Sequence, residues 1–216
     1  MASVIFPDPR EATPEGIVAV GGRPEPRLLV EAYRRGIFPW PVEGYPLLWF
    51  SPPERAVLEF ERLHLPRSLA RERRRTRLTF TVDRAFERVI RACAAVPRAH
   101  EDGTWITPAM IKGYTEMHRL GRAHSVKAWE GDELVGGVYG VDAGGAFAGE
   151  SMFRLRPNAS KLALVFLIEH LRARGLDWLD VQVLTPHVAA LGARLIPRAE
   201  FLDKLERALA RNLRLF

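Results

Sequence analysis

The sequence contains very little cysteine and no long hydrophobic run. Cys93 is the only cysteine among 216 residues, so an internal disulfide is impossible and the chain suits a reducing compartment. The longest apolar run, 162–168, is far shorter than the roughly 20 residues that a membrane-spanning helix needs. Residues 1–16 also lack the basic lead and apolar core of a signal peptide. We therefore expect a cytoplasmic protein with no membrane partner.

Motifs of several enzyme classes are absent as well. The chain has no G-x-x-x-x-G-K-[ST] phosphate loop and no G-x-S-x-G serine-hydrolase turn, and its six histidines show no metal-ligand spacing. The glycines of 136–140 lie inside a predicted strand, where they indicate close backbone approach and not a dinucleotide-binding turn. We expect neither a metal site nor a serine-hydrolase site.

The positive charge is concentrated in one segment. The chain carries 32 Lys and Arg against 26 Asp and Glu, a net charge of +6. Residues 62–77 hold seven arginines and one acid, so the rest of the chain is balanced. Guanidinium groups bind phosphates through bidentate hydrogen bonds and counterion release, whereas a merely solvated helix face usually interleaves acids with bases. We expect the following residues to bind nucleic acid: Arg62, Arg67, Arg71, Arg73, Arg74, Arg75 and Arg77.

The hydrophobic pattern predicts an α+β protein with a mostly antiparallel sheet. Hydrophobic residues make up 47% of the chain, enough for a sizeable core. Periods of 3.6 and 2 residues distinguish helices from strands, and the prolines of 36–55 predict a rigid loop. Helices are predicted at 26–35, 66–75, after the capping residue Asp83, at 107–121, from a cap at Asn158 or Ser160 to 174, at 185–192 and at 198–211. Strands are predicted at 55–60, 78–82, 124–129, 134–141, 146–153 and 177–183.

The loop around 96–103 is a plausible domain boundary. We predict a small N-terminal α/β domain, 1–98, which carries the arginine-rich segment, and a larger C-terminal domain, 99–216. In the second domain a helix, an antiparallel meander, an apolar helix and a returning strand follow one another. That order resembles the N-acetyltransferase fold.

Two polar residues interrupt the apolar returning strand. A period of two places Asp180 and Gln182 on one face, about 6–7 Å apart, and Leu179 and Val181 on the other. An unpartnered buried polar group costs roughly 1–3 kcal/mol. The pair therefore belongs either to a satisfied buried hydrogen-bond network or to a reactive site.

Tryptophans on the proline-rich segment also have two interpretations. Trp40 and Trp49 could cover the core, the usual role of a tryptophan, or could provide a stacking platform for a nucleic-acid base. The acyl donor is a related question. Residues 156–161 lack the glycine-rich R/Q-x-x-G-x-G/A that binds coenzyme A in acetyltransferases, so we expect no such cofactor and an acyl group that arrives on a nucleic acid.

Seven motifs, in order and over nearly the whole chain, resemble the bacterial leucyl/phenylalanyl-tRNA–protein transferases. They are GIFPW (36–40), WFSPPERAVL (49–58), EDGTWIT (101–107), GRAHSVKAWEGDELVGGVYGV (121–141), FAGESMF (147–153), NASK (158–161) and DVQVLTPHVAALGA (180–193). The resemblance implies transfer of Leu or Phe, with Met as a further candidate, from aminoacyl-tRNA to proteins that begin with Arg or Lys. Those proteins are thereby marked for degradation by the N-degron route, and no cofactor is implied.

The same resemblance assigns roles to matching residues. Trp40 and Trp105 would hold the terminal adenosine, Gln182 would orient the acceptor amine and Asp180 would polarise that arrangement. Glu150 would fix either the adenosine or the incoming ammonium. An apolar pocket for the aminoacyl side chain is expected from Val138, Phe147, Met152, Leu167, Leu171 and Leu179.

The choice of both substrates depends on residues near the predicted pocket. The family typically has Met at the position of Val138 and Phe at those of Leu167 and Leu171, so the ranking of Leu against Phe stays open. A cationic acceptor also needs negative charge at the entrance, for which Glu101, Asp102, Glu150 and Asp180 are candidates. The alternatives to a transferase are a non-catalytic RNA-binding module and a small-molecule N-acetyltransferase.

Overall fold

Helices and strands are both distributed along the whole described chain. The computed structural model describes residues 6–96 and 104–216. The helices are α1 (Pro26–Arg34), α2 (Arg67–Arg75), α3 (Phe86–Ala95), α4 (Pro108–Arg119), α5 (Ala159–Arg172), α6 (Pro186–Ala189) and α7 (Arg198–Ala210). The strands are β1 (Ile17–Val20), β2 (Phe38–Trp40), β3 (Leu48–Phe50), β4 (Glu54–Glu59), β5 (Thr79–Val82), β6 (Ala123–Glu130), β7 (Glu133–Asp142), β8 (Phe147–Arg154), β9 (Trp178–Gln182) and β10 (Arg194–Pro197).

Among the described residues, seven strands form the main sheet, in the order β10-β4-β9-β8-β7-β6-β5. Every neighbouring pair is antiparallel except β8 and β9, which run parallel. A second sheet has the order β1-β3-β2. The α+β fold with a mostly antiparallel sheet is therefore confirmed, as is the order of helix, meander, helix and returning strand. Strands β4 and β5, which precede residue 98, lie in the same sheet as β6 to β10.

Helix α5 explains the glycines of β7. Nine of its residues are buried, and it packs against β6, β7 and β8. A Cβ added at Gly136 would lie 2.6 Å from the Cβ of Ala159, so only glycine lets the helix begin this close to the strand. The predicted close approach at 136–140 is confirmed. Each fully buried Leu or Ile of α5 contributes roughly 1.5–3 kcal/mol of hydrophobic stabilisation.

Both faces of the main sheet are covered. One core cluster contains the buried side of α5 with Val126, Val138 and Leu179. The other contains α3 and α4 residues with Tyr139 and Phe153. Within the described residues, no helix is long and apolar enough to cross a membrane.

The predicted rigid loop at 36–55 was wrong, because β2 and β3 lie within it. Proline is tolerated there because β2 is an edge strand: Pro39, which has no N–H to donate, pairs with Trp49 only on the inner side. Strand β10 was missed for a similar reason. It is a four-residue edge strand that ends in Pro197, too short for a clear period.

One predicted helix cap was wrong, and another is confirmed only in its position. Asp83 does not cap α3. It has a left-handed backbone, and its carboxylate accepts from the N–H of Ser125 (2.8 Å) and contacts His124 Nδ1 (2.6 Å). Asn158 does precede α5, but its side chain makes no capping hydrogen bond, and Ser160 already lies within the helix.

Candidate active site

Strand β9 ends in an unusual backbone conformation. It lies between β4 and β8, with Asp180 beside Ala148 of β8. Gln182, its last residue, has a φ of 56°, in the left-handed region that costs a non-glycine residue of order 1 kcal/mol. The Gln182 N–H donates to Asp180 Oδ1 at 3.0 Å, which holds this turn. Of the four described non-glycine residues with a positive φ, Gln182 alone is buried, and strain at a buried polar residue is typical of a functional position.

Arg55 holds the carboxylate of Asp180. Its Nε donates to Oδ1 at 2.8 Å and its terminal nitrogen to Oδ2 at 2.7 Å, and the two side chains are only 1% and 8% exposed. The guanidinium also lies between two rings, 4.4 Å from the centroid of Phe38 and 4.6 Å from that of Phe201. The negative charge of Asp180 is thus neutralised inside the sheet.

Sequence reasoning missed Arg55. The only signal was an arginine directly before the apolar run Ala56-Val57-Leu58 of β4. A charge in such a strand needs a buried partner, but the sequence does not say which acid provides it.

Glu150, on β8, is the second carboxylate of the site. It accepts from Gln182 Nε2 at 2.5 Å and from the Tyr114 hydroxyl at 3.1 Å, and that hydroxyl lies 2.5 Å from the hydroxyl of Tyr33. Burial raises the pKa of Glu150 to about 7, although its hydrogen bonds with Tyr33, Gln182 and Tyr114 oppose the shift. Burial also raises the pKa of both tyrosines well above 10, so they remain hydrogen-bond donors at neutral pH.

An open cavity of about 230 Å³ adjoins Glu150. Three residues of the predicted pocket line it, namely Val138, Met152 and Leu179. The remaining lining residues are Gly149, Ser151, Leu164, Val181, Val183, Thr185 and Val188. The result is an apolar cavity with a carboxylate in its wall, which suits a hydrophobic side chain attached to a polar reacting group.

Three other residues of the predicted pocket do not line this cavity. Phe147, Leu167 and Leu171 are at most 1% exposed and lie in the same core cluster as the lining residues. Leu164, Val181 and Val188 occupy the wall instead, and the sequence analysis did not assign them to the pocket. Which apolar residues face the cavity depends on the rotation of α5 and on the turn at Gln182, which the hydrophobic pattern does not reveal.

Trp40 and Trp105 lie against each other. Their ring centroids are 5.8 Å apart and their planes differ by 15°, and both residues are partly exposed. Trp40 also contacts Phe38, with centroids 6.2 Å apart, and Phe38 is one of the two rings that enclose Arg55. The indole pair is therefore connected to the Arg55–Asp180 pair by direct side-chain packing. Trp49, by contrast, is 1% exposed and belongs to the core.

The seven arginines of 62–77 are all exposed. Five of them belong to α2, which Leu69 anchors as its one buried residue. Arg73 forms an ion pair with Glu169 of α5, so its charge is partly neutralised. We call these seven residues the arginine surface.

Two of the candidates for negative charge, Glu101 and Asp102, lie outside the described residues. Within 6–96 and 104–216, no group of three His, Cys, Asp or Glu side chains could hold a metal ion.

Two models of one protein family match this chain. The model of the leucyl/phenylalanyl-tRNA protein transferase family matches residues 57–206, and the model of that family's N-terminal domain matches residues 22–53. The chain belongs to the leucyl/phenylalanyl-tRNA protein transferase family.

Relatives of the same name match almost the whole chain. A leucyl/phenylalanyl-tRNA–protein transferase of Anaeromyxobacter sp. (strain Fw109-5) is 57% identical over 208 residues, which cover 96% of this chain and 88% of the relative. One from Anaeromyxobacter sp. (strain K) is 54% identical over 94% of this chain and 88% of its own length. One from Desulfatibacillum aliphaticivorans is 48% identical over 96% of this chain and 89% of its own length.

This transferase is accordingly an aminoacyltransferase with aminoacyl-tRNA and protein as its substrates. Transfer of a leucyl or phenylalanyl group requires a site for its apolar side chain and polar groups near the ester carbonyl that reacts. The cavity provides the site for the side chain. The polar groups are Glu150, which lines the cavity, and Gln182, which is hydrogen-bonded to Glu150.

Proposed function

We propose that this transferase moves Leu or Phe, and also Met, from aminoacyl-tRNA to the α-amino group of proteins that begin with Arg or Lys. In this proposal the reaction takes place in the cytoplasm, needs no cofactor and marks the acceptor for degradation by the N-degron route. The observation that carries the proposal is the apolar cavity whose wall contains Glu150, hydrogen-bonded to Gln182. We further propose that residues 1–98 bind the tRNA and residues 99–216 carry out the transfer.

The tRNA would be held at two places. Exposed guanidiniums of the arginine surface suit the phosphates of an acceptor stem, which proteins recognise through shape and backbone. The terminal adenine would stack on the Trp40–Trp105 pair, a contact worth about 1–3 kcal/mol. The two indoles already contact each other, so an adenine can stack on the outer face of either ring without any movement of the tryptophans. Insertion of the adenine between the rings would require them to separate to about 7 Å, which is two stacking distances.

The aminoacyl side chain would enter the cavity. A volume of about 230 Å³ is large enough for a leucine or phenylalanine side chain, and the wall offers Val138, Met152, Leu164 and Leu179. Phe147, Leu167 and Leu171 would act from the second layer, because they pack behind the lining in the same core cluster. Apolar pockets of this kind discriminate by only about 1–3 kcal/mol per methylene, which fits a mixed Leu and Phe specificity.

The acceptor amine would be oriented by Gln182. Asp180 accepts from the Gln182 N–H and is itself held by Arg55, so this position is rigid. An α-amino group has a reference pKa of about 7.7–8.0, so part of it is neutral at pH 7. Orientation and electrostatics therefore supply the rate without a covalent intermediate. Glu150, with Glu101 and Asp102, would favour a cationic N-terminus, whereas the charge of Asp180 is already paired with Arg55.

A transfer assay tests the proposal. Radiolabelled Leu-tRNA is mixed with the protein and a peptide that begins with Arg, and a peptide of the same sequence that begins with Glu serves as the matched control. We expect label on the first peptide and none on the second. If no charged tRNA gave transfer to any Arg or Lys peptide, the proposal would be wrong.

A further inference from the structure

We propose that Glu150 accepts the proton that the acceptor's α-ammonium must lose, and that Asp180 acts only as a positioning residue behind Gln182. The inference rests on the proposed function and goes further, because it separates the roles of two carboxylates in one site. It follows from two differences between the carboxylates: the hydrogen-bond partners of their oxygens, and their access to the cavity.

Asp180 has no oxygen placed to receive a proton from a substrate. Oδ1 accepts from Arg55 Nε and from the Gln182 N–H, and Oδ2 accepts from the terminal nitrogen of Arg55. The residue is 5% exposed and is not among those that line the cavity. To protonate Asp180 would leave the guanidinium of Arg55 buried between two phenylalanine rings without its counter-charge.

Glu150 differs from Asp180 in its access to the cavity and in the charge of its partners, although each of its oxygens also accepts a hydrogen bond. It lines the cavity and is partly exposed. Its hydrogen-bond partners, Gln182, Tyr114 and Tyr33, carry no charge, so no neighbouring cation opposes protonation of the carboxylate. Two carboxylates in unlike environments commonly divide their tasks in this way, one staying ionised and the other exchanging a proton.

The groups that face Glu150 come from three elements. They are Tyr33 of α1, Tyr114 of α4, and Gln182 and Asp180 of β9. Arg55 of β4 lies beyond Asp180. Burial, together with the charge of Asp180, raises the pKa of Glu150 to about 7 against the opposing hydrogen bonds. A base with a pKa near the working pH is the efficient kind for proton transfer.

The step balances without a further reactant. The carboxylate of Glu150 takes one proton from the ammonium, and the neutral amine then attacks the ester carbonyl. The N–C bond forms as the bond between the carbonyl carbon and the ribose oxygen breaks. A second proton from nitrogen ends on that oxygen, which leaves as the hydroxyl of the tRNA, and Glu150 releases its proton to water.

Single-turnover transfer from Leu-tRNA, followed from pH 5.5 to 9, tests the inference with Glu150→Gln, Glu150→Asp and the exposed control Glu206→Gln. For the wild type and Glu206→Gln we expect a rate that rises with pH through about 7. Glu150→Gln should lose up to about 10-fold at pH 7, because roughly a tenth to a fifth of the acceptor amine is already neutral there, and its rate should rise only with the pKa of that amine, about 7.7–8.0. Glu150→Asp, which retains a carboxylate, should recover part of the rate.

A second nucleophile separates proton transfer from substrate placement. Hydroxylamine is neutral at pH 7 and has no ammonium proton to lose, so Glu150→Gln should still catalyse its reaction with Leu-tRNA at close to the wild-type rate. Equal loss with peptide and hydroxylamine would overturn the inference, and so would an unchanged rate and pH profile in Glu150→Gln. A wild-type protein that transfers nothing would instead reject the proposed function, so the two failures are distinguishable.

Discussion

Arg55 and Asp180 form a two-point ion pair inside the main sheet, with N–O distances of 2.8 and 2.7 Å. The pair joins β4, which precedes residue 98, to β9 of the C-terminal region. Asp180 in turn holds the strained turn at Gln182. The Arg55–Asp180 pair therefore links the N-terminal part of the chain to Gln182, the residue that is proposed to orient the acceptor.

The first prediction concerns the strength of this pair. Arg55→Met should reduce the free energy of unfolding by about 3–5 kcal/mol, because it leaves Asp180 charged and buried without a partner, and Asp180→Leu should cost a similar amount by leaving Arg55 unpaired. The double variant Arg55→Met with Asp180→Leu should lose clearly less than the sum of the two single variants, since no lone charge remains. Urea unfolding of the four proteins measures this coupling. Additive losses would show that the pair is not a coupled unit.

A second prediction concerns stability against pH. The folded protein raises the pKa of Glu150 to about 7, above the usual value of 4.5. Between those two values the folded state binds more protons than the unfolded state, so the contribution of Glu150 to stability falls as the pH rises. Glu150→Gln should match the wild type near pH 4 and exceed it above pH 7 by on the order of 2–3 kcal/mol.

The difference in unfolding free energy between the wild type and Glu150→Gln isolates Glu150, because the two proteins share all other titrating groups and the contributions of those groups cancel. A difference in unfolding free energy that does not change from pH 4 to 8 would mean that Glu150 titrates normally in the folded protein.

A third prediction concerns the choice of aminoacyl group. Val138 lines the cavity beside Met152, its partner across β7 and β8. Val138→Ala should enlarge the cavity and raise the kcat/KM ratio of Phe-tRNA to Leu-tRNA by up to about 10-fold. Leu171→Ala is the matched control, because Leu171 is fully buried and does not line the cavity. It should cost about 2–5 kcal/mol of stability and leave the ratio nearly unchanged.

A fourth prediction concerns the arginine surface. Replacing Arg71 and Arg74 by Ala should weaken tRNA binding and reduce the slope of log Kd against log salt concentration by about 0.7–0.9 for each phosphate that the variant no longer neutralises. Arg73→Ala should change the slope less, because Arg73 is paired with Glu169. Arg207→Ala, an exposed arginine on α7, is the control. Equal slopes in all four proteins would place the tRNA elsewhere.

The sequence predicted more of the fold than of the site. Apolar periodicity gave most helices and strands to within two or three residues, because burial dictates it. It failed for β2 and β3, where prolines at a sheet edge break the pattern. It also failed for Asp83, whose carboxylate reaches β6 instead of its own helix.

The site depended on relationships that no local pattern contains. The period of two placed Asp180 and Gln182 on one face, and Leu179 and Val181 on the other. In the structure it is Leu179 and Val181 that line the cavity, and Gln182 bonds to Glu150 after the chain has turned left-handed. The partner of Asp180, Arg55, is 125 residues away in sequence. Such distant pairings follow from the strand order, which hydropathy alone does not determine.

A crystal structure with a non-hydrolysable analogue, leucine joined by an amide to the 3′ position of adenosine, tests the central claim most directly. We predict the leucine side chain in the cavity between Val138 and Leu179, the adenine stacked on the Trp40–Trp105 pair, and the carbonyl carbon within about 4 Å of Gln182 or Glu150. An analogue bound with its side chain outside this cavity, or with its carbonyl remote from both residues, would contradict the account.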